Sequence, residues 1–308
     1  VTQTEDATAA FENMLPANLH NHWKNCNVGK YVMQQYAAGF AMAQVAGATS
    51  EDEKEFHKQF LYYLVMHEMG HTLGLNHNMK ASSILSPTEL HNKAITSKVG
   101  LMGSVMDYPA VNVALDKTKQ GDYYTTKVGP YDVWAIQYGY IEFAADEEES
   151  KLSAIASRSN EPYLTFGNDA DDMRSPGNGI DPRVMVNDMS SDMVAYAEER
   201  FKFVNAAMPK LISKFGKTGE SYAGIRGRYN LLNSERRGMA QAVANYIGGV
   251  YVDRSFIGQN NGSKPYTVVP VAYQKKAMDL LCKYVFAPNA FEADGQLFQY
   301  LQLQRRGF

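Results

Sequence analysis

The feature that most constrains this chain is one short segment, His67 to His77, in which three histidines, a glutamate and a glycine stand at fixed spacings. His67 and His71 are four residues apart, so on an α-helix their rings project from the same face. Glu68 lies about 100° further round that helix, beside the rings but off their line. Gly74 is a natural helix end, because glycine adopts the left-handed conformation there without steric cost. The pattern therefore predicts a helix carrying two histidines and a turn that delivers His77 to them.

Three converging imidazoles form a ligand set that suits zinc. A catalytic zinc keeps one position for water, whereas a structural zinc is usually closed by a fourth protein ligand and favours cysteine. Neither Cys26 nor Cys282 lies near this segment, so we expect one catalytic Zn²⁺ held by all three histidines. Glu68 is near the metal without being needed as a ligand, which suits a general base acting on zinc-activated water.

The segment resembles the extended motif HExxHxxGxxH of the metzincins, which a methionine turn follows in that clan. Ser104-Val105-Met106-Asp107-Tyr108 resembles the Met-turn of the astacin and serralysin branches, and the run from Gly129 to Tyr138 resembles the helix after it. The resemblance implies that Met106 forms an apolar floor beneath the zinc site. It also implies that Tyr108 approaches the metal and stabilises the reacting carbonyl. From the residues alone, a packed tyrosine held by Pro109 is the alternative.

A closer resemblance covers the run from about Gly29 to Phe286. It is to a family of large secreted bacterial metzincin-like zinc-dependent peptidases, and the stretches 77–83 and 248–254 carry it. This resemblance implies an extracytoplasmic location and a peptide or protein substrate, and it implies little about which substrate.

Two features depart from the better-known metzincin branches. Residue 78 is Asn, where those branches have Glu, Pro, Ser or Asp. Residues 1–50 read as loop and helix and leave little room for the twisted β-sheet that metzincins place before the zinc helix. We therefore expect that this sheet is absent or reduced, and that the chain is a fragment whose substrate cleft an upstream segment would complete.

The fold class predicted from the pattern is mainly α. Residues 1–143 are expected to form a metzincin-like catalytic core, and residues 144–308 a mainly helical C-terminal subdomain with one β-hairpin. Ser50 is predicted to cap the zinc helix with Glu53, and residues 78–103 are predicted to be mostly irregular. The other predicted elements are helices at 29–46, 129–138, 147–157, 190–215, 219–247 and 271–286, and hairpin strands at 250–252 and 266–269.

The composition is that of a globular protein, with 45% hydrophobic and 20% charged residues. The net charge of −3 gives no reason to expect nucleic acid as a partner. No apolar run is long enough to predict a membrane span, and the N-terminal residues do not form a signal peptide. The pattern does not indicate an oligomeric state.

The remaining candidate ligands are interpreted as ordinary residues. They are His20, His22, His57 and His91, read as solvated or packed, and the cluster Asp169, Asp171 and Asp172, read as a solvated loop. Calcium at that cluster is possible by ligand type but lacks the spacing of a known loop. Cys26 and Cys282 are more consistent with buried thiols than with a disulfide, because two cysteines make no disulfide framework.

The function favoured by these observations is that of a zinc endopeptidase with Glu68 as general base. Two alternatives stay open at this point. One is a zinc-containing binding or adhesion module without turnover, against which the presence of Glu68 argues. The other is a peptidase restricted to glycopeptides or cell-wall peptides.

Overall fold

The computed structural model describes residues 28–172, 179–259, 262 and 264–302. Within them, helices and one small antiparallel sheet account for the regular structure, which confirms the mainly α fold class. The α-helices are α1 (Val28–Val45), α2 (Ser50–Thr72), α3 (Pro87–Leu90), α4 (Lys93–Val99), α5 (Pro130–Tyr140), α6 (Glu148–Ala156), α7 (Met193–Ala207), α8 (Leu211–Phe215), α9 (Ala223–Ala244) and α10 (Val271–Leu281).

Helices α1 and α2 form a hairpin joined by a short turn at Gly47. The helix α2 begins at Ser50, one residue earlier than predicted, because Ser50 was expected to be its cap. Thr49, not Ser50, is the N-cap, and its hydroxyl accepts the N–H of Asp52 while the Asp52 carboxylate accepts the N–H of Thr49. The prediction of Ser50 and Glu53 was wrong because threonine and aspartate fill the same reciprocal pattern one position upstream. Glu53 instead accepts a hydrogen bond from Gln44 of α1, at 2.9 Å.

The connection after α2 is more regular than its sequence indicates. A 3₁₀ turn (Ala81–Ile84), α3 and α4 lie within residues 78–103, which were predicted to be mostly irregular. Each is too short to show a helical period, but two carry local start signals. Ser86 and Glu89 form a reciprocal cap on α3, and the Asn92 side chain accepts the N–H of Ala94 at the start of α4.

The second half of the chain contains the predicted helices and hairpin. Strands β1 (Val250–Val252) and β2 (Tyr266–Val268) pair antiparallel, with Tyr251 opposite Thr267. The predicted helix 190–215 is divided into α7, a 3₁₀ turn (Met208–Lys210) and α8. The division falls where Pro209 removes a backbone donor. The helix α10 continues as a π-helical turn, Cys282–Phe286.

One continuous hydrophobic core joins the two halves of the chain. Helix α9 packs against both α7 and α1, and the same buried cluster contains Met42 and Phe56 as well as Tyr196 and Phe201. Inside it the buried guanidinium of Arg200 donates to Glu235 at 2.8 Å and to the carbonyl of Val113 at 3.1 Å. The division of the chain into two parts at 143/144 stays a prediction, and a shared hydrophobic core connects the two parts.

The sheet expected to be absent or reduced before the zinc helix is not seen in the part of the chain that is described. Residues 28–55 form α1, a turn and the start of α2. None of the helices in the described residues is long and apolar enough to cross a membrane.

Candidate metal centre

Helix α2 presents His67 and His71 at its C-terminal end, as their four-residue spacing predicts. His67 is 1% exposed and faces the core, whereas His71 is exposed. The helix ends at Thr72, and Gly74 follows with a φ of +83°, in the left-handed region. The turn at Gly74 brings His77 back beside His71, so the local structure that the glycine dictates also assembles the site.

Each of the three histidines has its Nδ1 atom beside an oxygen acceptor. Nδ1 of His67 lies 2.8 Å from the carbonyl oxygen of Val105, and Nδ1 of His71 lies 3.1 Å from that of Leu75. Nδ1 of His77 lies 2.8 Å from a carboxylate oxygen of Asp169. Since these oxygens only accept, each Nδ1 carries the proton, and each Nε2 keeps its lone pair. Burial also lowers the pKa of His67 to about 3, so that ring is neutral at pH 7.

The three ligand nitrogens converge, and all lie within 4.8 Å of one another. Nε2 of His71 and Nε2 of His77 are 3.1 Å apart, close to the separation of two nitrogen ligands on a tetrahedral zinc with bonds of about 2.0–2.1 Å. Two lone pairs facing each other at this distance repel unless a cation lies between them. The donor set therefore fits zinc, and among the described residues the group contains no fourth histidine, cysteine or carboxylate to close the site.

Glu68 lies on the exposed side of α2, next to His67 in sequence and turned away from the core. Within the described residues, no hydrogen bond or ion pair ties its carboxylate to a neighbour. A carboxylate that is exposed and uncommitted beside the ligand nitrogens is available to take up and release a proton.

The Met-turn passes directly beneath the histidines. Met106 is fully buried, and a Cβ atom added to Gly70 of α2 would lie 2.2 Å from its sulfur. Only a glycine between the two ligands of α2 therefore permits this close approach. The floor that the resemblance implied for Met106 corresponds to this contact between its thioether and the helix backbone.

The first turn of α5 fixes the backbone of the Met-turn. The buried carboxylate of Asp132 accepts the hydroxyl of Ser104 at 2.5 Å and the N–H of Val105 at 2.9 Å, and it also caps its own helix at Gly129. The carbonyl of Val105 accepts the hydrogen bond of His67, so Asp132 is connected to the first ligand through one residue. A Cβ atom on Gly129 would lie 2.0 Å from the carbonyl oxygen of Gly103, which explains the glycine before Pro130.

Tyr108 places its hydroxyl inside the group of ligands. The oxygen is 3.0 Å from Nε2 of His67 and 2.8 Å from Nε2 of His77. The ring is partly buried and packs against Met79, Val184 and Val186. The tyrosine is therefore both packed and within reach of anything the histidines bind.

The chain from the zinc helix onwards is similar to one known family. The sequence profile described as Met-zincin matches residues 49–306, which is more than half of the chain. This chain belongs to the Met-zincin family. Membership supports a zinc metallopeptidase of the metzincin clan. Neither the curated proteins nor the solved structures include a match.

Asp169 and Asp132 are the residues at the metal centre of this Met-zincin that the sequence did not indicate, and Asp169 contacts a ligand directly. Asp169 was interpreted as part of a solvated loop, and its side chain is indeed 58% exposed, but one of its oxygens accepts the hydrogen bond of His77. Nothing in its sequence neighbourhood distinguished it from Asp171 and Asp172, since it is 92 positions from the histidine it contacts. Asp171 instead pairs with Arg254, and Asp172 is buried.

Among the described residues, the other candidate histidines lie away from the metal centre of the Met-zincin. His57 hydrogen-bonds Tyr36 at 2.5 Å, and His91 pairs with Glu199 at 3.0 Å, as expected for packed and solvated residues. His20, His22 and Cys26 lie outside the described residues. Cys282 is a free thiol and is exposed, so the prediction that it is buried was wrong, because the π-helical turn that it begins leaves it at the surface.

Proposed function

We propose that this chain is a zinc endopeptidase in which His67, His71 and His77 hold the metal and Glu68 is the general base. The observation that carries the proposal is the orientation of the three rings. Every Nδ1 faces an oxygen acceptor and every Nε2 faces the same point, with an uncommitted carboxylate beside them. Ordinary packed or surface histidines are not expected to share one tautomer and to direct their Nε2 atoms to one point.

Zinc, when held by the three Nε2 atoms, supplies a Lewis acid that polarises the scissile carbonyl and lowers the pKa of water to about 7. Glu68 accepts a proton from the attacking water and passes it to the leaving amine, so a carboxylate and an amine are the products. The hydroxyl of Tyr108 donates a hydrogen bond to the oxyanion that develops on the carbonyl. Met106 and Asp132 take no proton, and they hold the helix and the turn that carry these groups.

The substrate class proposed is a peptide or protein, hydrolysed at an internal bond outside the cytoplasm. The exposure of His71 and Glu68 supports a peptide substrate, because these groups face solvent and an extended chain has access to them. The proposed location rests on the sequence resemblance alone. No described feature favours glycopeptides or cell-wall peptides over other peptides.

The test compares the parent protein with Glu68→Gln and His71→Ala on a proteome-derived peptide library. Glu68→Gln keeps the size of the side chain, so we expect zinc content and fold to be unchanged while cleavage falls by about 10²-fold or more. His71→Ala removes a ligand, so we expect it to lose the metal, together with the stability that metal binding adds.

Glu51→Gln is the matched control, because Glu51 is exposed on the same helix but lies in its first turn, far from the ligands. It should cleave at the parent rate. If Glu68→Gln also cleaved at that rate, the assigned base would be wrong. A parent that binds zinc and cleaves nothing in the library would favour a binding module instead.

A further inference from the structure

The third histidine of the site differs from the other two in what orients it. His67 and His71 donate to backbone carbonyls of their own half of the chain, whereas His77 donates to a carboxylate, that of Asp169. A carboxylate acceptor fixes the ring and raises the basicity of the opposite nitrogen more than a carbonyl does, because it carries a negative charge. The ligand that follows the turn at Gly74 thus has the strongest partner.

The loop that carries Asp169 is attached to the segment that carries His77. The buried side chain of Asn78 donates to the carbonyl of Thr165 at 3.0 Å and accepts the N–H of Gly167 at 3.2 Å. The N–H of Met79 donates to the carbonyl of Gly167 at 2.8 Å. Two residues after Gly167, the chain reaches Asp169 beside the ring of His77.

Asn78 is therefore more than a departure from other metzincin branches. An amide offers a donor and an acceptor at once, and here both bind backbone groups of the 165–167 segment. Aspartate or glutamate could not donate to Thr165, and proline could do neither. An amide at position 78 and a carboxylate at position 169 form one arrangement that holds His77.

A second contact fixes the far end of the same loop. Arg254, which follows strand β1, donates to Asp171 at 2.5 Å and to the carbonyl of Phe166 at 3.5 Å. Asp171 also closes the turn onto Asn168, through a backbone bond of 2.9 Å. The loop from Phe166 to Asp171 is thus held on one side by the His77 segment and on the other by the hairpin region.

We propose that Asp169 is a positioning residue that fixes the tautomer and ring orientation of His77 for metal binding, and that Asn78 holds the loop that delivers it. The metal centre is completed by the C-terminal half of the chain. The proposal rests on the proposed zinc site. Its test measures metal affinity and not turnover, so it is separable from the question of peptidase activity.

The experiment is zinc titration of the full chain against a chromophoric chelator, for the parent, Asp169→Asn and Asp169→Ala. Loss of such a partner weakens metal binding by about 10–100-fold. Because Asp169 is 58% exposed, we expect about 10-fold for Asp169→Ala. Asp169→Asn keeps an acceptor oxygen and loses the charge, so a smaller loss is expected. Asp279→Asn, an exposed carboxylate on α10, is the matched control and should bind zinc as the parent does.

Two further measurements distinguish a positioning role of Asp169 from a general loss of structure. The urea midpoint of the zinc-free protein should be the same for parent and Asp169→Asn. The visible spectrum of the cobalt-loaded Asp169→Ala protein should change in band position, because the orientation of one ligand ring changes. Asn78→Asp, which removes the donor to Thr165, should weaken zinc binding in the same direction.

The proposal is overturned if Asp169→Ala binds zinc as tightly as the parent, or if Asp169→Asn unfolds without metal at a much lower urea concentration. A parent that binds zinc without cleaving peptides would contradict the proposed activity and leave the role of Asp169 intact. A parent that binds no zinc would overturn both.

Discussion

The contact between Gly70 and Met106 offers the sharpest test of the metal centre. In Gly70→Ala, the added Cβ atom would lie 2.2 Å from the Met106 sulfur and 3.5 Å from its terminal carbon. Carbon and sulfur do not approach that closely, so the thioether must leave its place beneath the ligands. Overpacking of a closed core costs about 1–3 kcal/mol. Replacing a helical glycine by alanine gains about 1 kcal/mol, so the expected net change in unfolding free energy is a loss of about 0–2 kcal/mol.

The control for this variant is Gly227→Ala in α9. Gly227 is also inside a helix, but it is exposed and a Cβ atom there would meet nothing within 4 Å. It should therefore gain up to about 1 kcal/mol. The two variants should differ by about 1–3 kcal/mol in urea unfolding of the zinc-free protein, and zinc affinity should fall only in Gly70→Ala.

A double-mutant cycle assigns the loss to the contact itself. In a Met106→Ala background the added methyl group has no sulfur to displace, so Gly70→Ala should then stabilise the protein as Gly227→Ala does. If Gly70→Ala were already as stabilising as Gly227→Ala in the parent, the close approach of Met106 to the zinc helix would be refuted.

Three further predictions follow from other parts of the structure. Tyr108→Phe keeps the ring and its packing, so zinc content should be unchanged while kcat falls by about 10²-fold, and a fall of less than about threefold would leave Tyr108 as a packing residue only. Burial raises the pKa of Asp107, which lies beside the buried Asp188, above its ordinary value, whereas an unfolded aspartate titrates near pH 4. The folded state thus holds that proton more tightly, and the stability that this adds is lost as the pH rises above about 4. Urea unfolding of the zinc-free protein at several pH values should show that the unfolding free energy of Asp107→Asn falls less with rising pH than that of the parent. Because one core joins the two sides of position 143/144, circular dichroism and fluorescence should report a single unfolding transition, and two separate transitions would support two domains.

Much of the helical architecture could be predicted because its signals are local. The spacing of apolar residues and a glycine at the helix end predicted α1 and α2, and the turn residues between 252 and 266 predicted the hairpin. What could not be predicted lay in segments too short to show a period, such as α3 and α4. The cap of α2 was misplaced by one residue, because Thr49 and Ser50 are both good caps and only the observed bond to Asp52 distinguishes them.

The ligands and the base were accessible from sequence for a related reason. A helix fixes the relation between His67, Glu68 and His71, so their spacing alone specifies their geometry. Asp169 and Asp132 were not accessible, since each contacts its partner across a long stretch of chain. Their type gave no signal either, because exposed loops and helix starts are where aspartate is ordinarily found.

The metal centre thus depends on the whole fold, although its ligands occupy one short segment. The acceptors that fix the three rings lie 4, 38 and 92 residues from His71, His67 and His77 respectively. A peptide containing only the segment would keep the first acceptor and lose the other two. Its remaining rings would exchange tautomers and directions, and metal binding would have to order them at the cost of side-chain entropy. In the folded chain the Met-turn and the Asp169 loop already order these two rings, so the site is preformed. Its affinity for zinc therefore depends on how well both halves of the protein are assembled.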